Sequence, residues 1–111
     1  MKLDTWERVM CSEIVGSMRG DYVTITHKAG KLLDLIELSE DEKKEIGFVR
    51  FDNGNLIWQG NKEWEIEIKD ENLVALLQQQ VSIFQNWSRS DMNKVKSLRE
   101  KLGIPEPPSE A

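Results

Sequence analysis

A chain of 111 residues, 39% hydrophobic and 32% charged, has the size and composition of one ordinary globular domain rather than of a disordered segment. Its apolar runs are only a few residues long, which excludes a helix that crosses a bilayer, and its single cysteine excludes an internal disulfide. The net charge of −5 disfavours direct binding to nucleic acid, and the acidic start disfavours a signal peptide, so we expect a cytoplasmic protein.

The first third of the chain has the periodicity of helices. Apolar residues recur every three or four positions over residues 3–18, as an amphipathic helix requires. A second helix is predicted over 28–37. The residues before it, 22–27, allow two interpretations: they extend this helix after a cap at Asp21, or they form a short strand because they are rich in β-branched residues.

A short helix and a β-hairpin are predicted next. Ser39 and Glu42 have the spacing of a capping box, which starts a helix. Asn53-Gly54 lies between two apolar runs, and this dipeptide is the strongest short-range signal for a two-residue hairpin turn with both residues at positive φ. We therefore predict strands over 48–52 and 55–59.

A third strand is predicted over 63–68, where apolar and acidic residues alternate. A turn at 60–62 then places Trp58 opposite Trp64 on the apolar face, while the other face carries Glu63, Glu65 and Glu67. The three strands form a small antiparallel β-meander over about residues 48–68.

Two helices follow the meander. One is predicted over 71–87 behind a cap at Asp70, and the last begins at Ser90 or Asp91 and ends at Gly103. The apolar face of the meander must be covered, and the amphipathic helices supply the cover. The predicted fold class is therefore α+β, with N-terminal helices, a three-stranded antiparallel meander and two C-terminal helices. We expect one globular domain over 1–104 and a flexible tail over 105–111.

The sequence gives little support for catalysis. Cys11 and His27 are the only cysteine and histidine, they fall on different predicted elements, and no third residue completes a catalytic group. A structural zinc site needs about four such ligands. We therefore expect no catalytic residue, no metal and no cofactor, and we treat a small enzyme as the least favoured class.

The tryptophans and the strand glutamates are the remaining candidate site residues. Trp58 and Trp64 are most simply a core pair, and the sharper alternative is that they stack on a small, nucleotide-like ligand. Trp87 near a helix end is either packed or part of a protein contact. The exposed row of Glu63, Glu65 and Glu67 either solvates the sheet or contacts a partner protein.

The stretch 32–102 resembles a group of short uncharacterised proteins encoded in phages and prophages. The residues that carry the resemblance are the segment LSEDEKKEIG at 38–47, Trp58, the acidic and apolar strand at 64–69, and the spaced apolar residues Val95, Leu98 and Leu102. The resemblance implies an accessory role in a bacterial host cytoplasm and assigns no functional residues.

The favoured function is accordingly a protein-binding or inhibitory module. A protein that binds or sequesters a small ligand is the alternative. The outer strands of the predicted meander would each leave one edge unpaired, which makes a homodimer reasonable. We expect a protein partner, no direct nucleic-acid binding and no membrane association.

Overall fold

The computed structural model describes residues 1–106, so most of the tail predicted at 105–111 lies outside the described residues. The fold is α+β, as predicted. Its elements, in chain order, are β1 (Lys2–Asp4), α1 (Thr5–Gly16), a π-helical segment (Thr24–Ala29) that continues into α2 (Gly30–Ile36), α3 (Glu40–Glu45), β2 (Val49–Arg50), β3 (Leu56–Ile57), β4 (Glu63–Glu65), α4 (Glu71–Ile83), a 3-10 turn (Arg89–Asp91) and α5 (Met92–Lys101).

The chain begins with a strand, which the sequence analysis had placed inside the first helix. The helix begins only at Thr5, because Asp4 and Glu7 form a capping box in which each side chain accepts a hydrogen bond from the other residue's backbone N–H. Leu3 is the first residue of the predicted helical stripe. It lies instead on β1, where its side chain is buried in the core.

The predicted three-stranded meander is wrong. The structure has two separate two-stranded antiparallel sheets, in which β4 pairs with β1 and β2 pairs with β3. Leu3 lies opposite Trp64, so Trp64 does not face Trp58 across a strand pair as predicted. The N-terminal ammonium and backbone extend this pairing through two hydrogen bonds to Ile66.

The hairpin exists, but its register differs from the prediction by one residue. Val49 lies opposite Ile57, and the Phe51 N–H donates to the carbonyl of Asn55, which leaves a three-residue turn. Only Gly54 in this turn has a positive φ, at 88°, whereas the predicted two-residue turn requires one at Asn53 as well. The shift turns Val49 and Phe51, predicted to face the core, towards solvent.

Residues 22–27 are helical, which settles the two interpretations left open by the sequence. Asp21 caps the segment as predicted, since its carboxylate accepts from the backbone N–H and the hydroxyl of Thr24. These hydrogen bonds lower the pKa of Asp21. The hydrogen bonding is of the π type, so that the N–H of Gly30 donates to the carbonyl of Ile25 five residues earlier.

Most predicted helix ends are confirmed. Ser39 and Asp70 cap α3 and α4 through their side chains, and Gly103 ends α5 in a Schellman arrangement with φ at 72°. The first helix, predicted to reach residue 18, ends at Gly16, and the helix predicted over 71–87 ends at Ile83. Asp91, one of the two predicted starts of the last helix, is the residue before α5, but within residues 1–106 no side-chain hydrogen bond caps this helix.

The core has two parts. The larger cluster packs α1, α2, α4 and α5 together with β1. The smaller one consists of Val9, Leu38 and Ile46, against which the hairpin and the two tryptophans Trp58 and Trp64 pack. None of the helices in residues 1–106 combines the length and the apolar character that crossing a bilayer requires.

Candidate functional site

The hairpin β2–β3 has one face turned inward and one turned outward. Because side chains alternate along a strand, Arg50 and Leu56 share the inner face, while the outer face carries three large apolar side chains. These are Val49, Phe51 and Ile57, which are 46%, 46% and 54% exposed and which we call the hairpin patch. Exposed apolar side chains that share one face make this surface a candidate for binding another molecule.

A cavity of about 330 Å³ lies beneath the inner face of the hairpin. One wall is formed by α1 from Val9 to its end, another by Leu33 of α2, the connection after it and Lys43 of α3, and Phe48 and Arg50 close the third side. We call it the α1–hairpin cavity. Its volume lies at the lower end of the range found for sites that bind small molecules.

Four charged side chains line the α1–hairpin cavity. Arg50 forms an ion pair with Glu13 of α1 at 2.5 Å, which ties the hairpin to the helix. Lys43 lies over the Phe48 ring, 5.7 Å from its centroid, and 3.6 Å from Glu40. Glu37 has no side-chain hydrogen bond or ion pair within residues 1–106. The lining therefore carries two cations and two anions.

Trp58 and Trp64, the predicted ligand-stacking pair, line a core cluster rather than the cavity. Trp58 stacks on Phe48 with ring centroids 6.3 Å apart. Trp64 is covered by two cations of this chain, the Arg8 guanidinium at 5.1 Å and the Lys62 ammonium at 4.5 Å from its ring centroid. Its indole N–H donates to Thr5 at 3.2 Å. These contacts fit the core interpretation of both tryptophans.

Trp87, predicted as packed or as a protein contact, is half-buried in an aromatic group. It meets the Phe84 ring edge-on at 4.7 Å between centroids and lies 6.3 Å from the Trp6 ring. Lys94 lies over the other aromatic residue of this group, Trp6, at 5.5 Å. The packing interpretation accounts for most of its surface, and one part of the ring remains accessible.

The three glutamates of the predicted strand over 63–68 are exposed, but β4 ends at Glu65, so Glu67 lies beyond the strand. Glu63, Glu65 and Glu67 are exposed and alternate with the more buried Trp64, Ile66 and Ile68. Glu65 is 3.5 Å from the N-terminal ammonium, and Glu67 is 3.9 Å from Lys69. Exposed pairs of this kind contribute little to stability, so the row is available to solvent or to a partner.

Cys11 and His27, which were considered above as a catalytic pair, lie in different environments. His27 is exposed on the π-helical segment, whereas Cys11 is fully buried in the main core. Burial raises the pKa of the Cys11 thiol to about 12, with smaller contributions from Glu7 and Asp4. The thiolate is the nucleophilic form, so this cysteine is held in its unreactive state at neutral pH.

We expect Cys11 to react with Ellman's reagent at least about a hundredfold more slowly in the folded protein than in urea at the same pH, because the thiol is both buried and protonated. The release of the coloured thiolate measures both rates. Equal rates in the two states would show that the thiol is accessible and would contradict the placement of Cys11 in the core.

No pattern in the sequence singled out Arg8, which is 3% exposed although it lies on a helix. Its guanidinium donates to the carbonyls of Ile36 and Glu37, at 2.9 and 2.8 Å, and makes a two-point contact with Glu42 at 2.9 and 3.3 Å. The contact with Arg8 lowers the pKa of Glu42. Arg8 thus joins α1 to the end of α2 and the start of α3. These hydrogen bonds give Arg8 a structural role.

A second buried charge is Glu7, whose carboxylate accepts from Lys101 at 2.6 Å and from the Asp4 backbone N–H at 2.8 Å. The Asp4-x-x-Glu7 spacing is a capping-box pattern, so the sequence held a signal for this local bond. It held none for the bond to Lys101, 94 residues away. Within residues 1–106, no group of three or more metal-ligating side chains is close enough to hold a metal ion.

Comparison with known proteins gives no match: no family model, no curated protein and no solved structure shows significant similarity to this chain. The hairpin patch and the α1–hairpin cavity therefore carry the functional argument.

Proposed function

We propose that this protein acts by binding another protein, and that the hairpin patch is the surface it uses. The observation that carries the proposal is the exposure of Val49, Phe51 and Ile57 together on one face of a two-stranded sheet. A two-stranded hairpin is only marginally stable by itself, so exposing its apolar face to water costs stability unless something covers it.

The structure holds the patch in place. The inner side of the hairpin is attached by the Arg50–Glu13 ion pair and by the packing of Phe48 and Trp58 against the cluster of Val9, Leu38 and Ile46. The backbone of Gln59 donates to the carbonyl of Ile46 at 2.7 Å, which fixes the hairpin to the end of α3. A rigid apolar surface loses little conformational freedom on binding, which favours affinity.

The partner proposed here is a protein with a complementary apolar surface. The phage-type accessory role, in a bacterial cytoplasm, is part of the proposal and is supported by the sequence resemblance at 38–47 and 64–69. A second copy of the chain is the simplest partner of this kind, and its binding would make the protein a homodimer.

The test replaces the patch and leaves the rest of the surface unchanged. The double variant Phe51→Ser/Ile57→Ser should lose at least about tenfold in affinity for the protein partner, because apolar anchors at an interface contribute most of the binding energy. Native mass spectrometry of the tagged protein, isolated gently from the cells that make it, reports a bound protein or a second copy in one spectrum.

Ile83→Ser is the matched control, because Ile83 is 59% exposed at the end of α4, away from the hairpin. Complex formation that is lost in the double variant and kept in the control supports the hairpin patch. Equal binding by all three proteins would place the contact elsewhere, and a wild-type protein that remains a bare monomer in these cells would count against the proposal itself.

A further inference from the structure

We propose that the α1–hairpin cavity binds a small zwitterionic molecule with an apolar side chain, of the free amino-acid class. The inference goes beyond protein binding, because the cavity lies on the inner side of the hairpin and the patch lies on its outer side. It rests on three features of the cavity: apolar walls, a balanced set of charges, and one position where the wall is open.

The apolar part of the lining is built from the small core cluster and its neighbours. Val9 and Leu38 belong to that cluster, Leu33 comes from α2, and the Phe48 ring forms one side. Such walls favour an aliphatic or aromatic side chain of the ligand, since the removal of apolar surface from water favours binding.

The charges decide the class of ligand. The lining has no net positive charge, which disfavours the nucleotide-like ligand considered from the sequence. Arg50 and Glu13 pair with each other, which leaves Lys43 and Glu37 as one cation and one anion for a molecule that carries one charge of each sign. A ligand carboxylate would pair with Lys43, whose contact with Glu40 is exposed, and a ligand ammonium with Glu37, whose carboxylate has no side-chain partner within residues 1–106.

The wall is open at Gly16, the last residue of α1. A Cβ added there would have no heavy atom within 4 Å outside its own helix and its chain neighbours, and its φ is not in the left-handed region. A side chain at this position therefore meets no steric obstacle and no backbone strain. Because Gly16 also lines the cavity, a substitution there tests the cavity in a protein that still folds.

The experiment titrates the whole protein with free L-leucine and L-phenylalanine while the backbone amide signals are followed by NMR. We expect saturable shifts at Ser12, Gly16 and Arg50, residues that line the cavity. N-acetyl-L-leucine, which lacks the ammonium, and L-leucinamide, which lacks the carboxylate, should each bind at least about tenfold more weakly than L-leucine.

Gly16→Leu should weaken this binding at least about tenfold, since it adds a bulky side chain to a residue of the lining, while Gly16→Ala adds only a methyl group and should retain it. The inference would be overturned if neither amino acid produced a saturable shift at concentrations up to about 10 mM, because a dissociation constant above this value does not define a specific binding site. Equal binding by Gly16→Leu and the wild type would overturn it as well.

The two proposals fail separately. Phe51→Ser/Ile57→Ser should leave amino-acid binding unchanged, because these side chains point away from the cavity. Gly16→Leu should leave the protein complex unchanged, because Gly16 lines the cavity and is not part of the hairpin patch. A loss of both activities in either variant would indicate a single composite site and would contradict the separation of patch and cavity.

Discussion

Arg8→Met should lower the free energy of unfolding by about 3 kcal/mol, because it removes the buried partner of several groups at once. The carbonyls of Ile36 and Glu37 lose their charged donor, and Glu42 loses its two-point contact. Methionine preserves most of the apolar stem of the side chain, so the loss reports the polar contacts rather than a new cavity. Urea unfolding, followed by tryptophan fluorescence, measures the difference.

The same variant should also flatten the pH dependence of stability in the acid range. The pKa of Glu42 is lowered in the folded protein from its ordinary value of 4.5, chiefly by its hydrogen bond from Arg8. The contribution of Glu42 is therefore fully present above pH 4.5 and is lost as pH falls through the lowered folded-state pKa. Without Arg8, the main cause of the lowered pKa is gone.

Arg50→Met is the matched control, since Arg50 is also ion-paired but is about half exposed together with its partner Glu13. Pairs of this kind contribute about 0.2–1 kcal/mol. If Arg8→Met costs no more than Arg50→Met, or if its acid-range pH profile matches the wild type, Arg8 does not act as the structure indicates.

Local signals predicted the helices because each depends on neighbours in the chain. Ser39, Asp70 and Gly103 act within two to five residues of themselves, and the sequence shows those neighbours directly. At the start of α1 a local competitor had been overlooked: the capping box of Asp4 and Glu7 starts the helix two residues later than the apolar stripe.

The sheets could not be predicted in this way, because strand partners are chosen over long distances. β4 alternates as predicted, and its alternation fits any antiparallel neighbour equally well. The neighbour it has is β1, some sixty residues earlier in the chain, where Leu3 fits beside Trp64. The predicted hairpin register required a positive φ at Asn53, and Asn53 does not have one. The sequence alone does not determine this angle.

The candidate sites show the same division. Exposure of Glu63, Glu65 and Glu67 follows from alternation, whereas the hairpin patch exists only because the register differs from the prediction by one residue. The α1–hairpin cavity joins segments from three parts of the chain, so no spacing in the sequence could indicate it. Buried charges such as Arg8 and Glu7 are equally hidden, since charged residues on helices are mostly exposed.

Lys101→Met should lower the free energy of unfolding by about 2 kcal/mol, because it leaves the Glu7 carboxylate, 2% exposed, without its cationic partner. The cost is smaller than for Arg8 because Lys101 is partly exposed and the Asp4 N–H still donates to Glu7. Lys62→Met is the matched control, since the Lys62–Glu45 pair has the same 2.6 Å separation but is about half exposed on both sides.

The double variant Glu7→Gln/Lys101→Met separates the charge from the packing. Glutamine retains an oxygen for the Asp4 N–H and removes the buried charge, so the double variant should be more stable than Lys101→Met alone. Urea unfolding of the four proteins in this cycle gives the coupling energy. Two results together would contradict this account: Lys101→Met lowers the stability no more than Lys62→Met, and the double variant shows no recovery. They would show that burial of Glu7 does not strengthen the bond between the first turn of α1 and the end of α5.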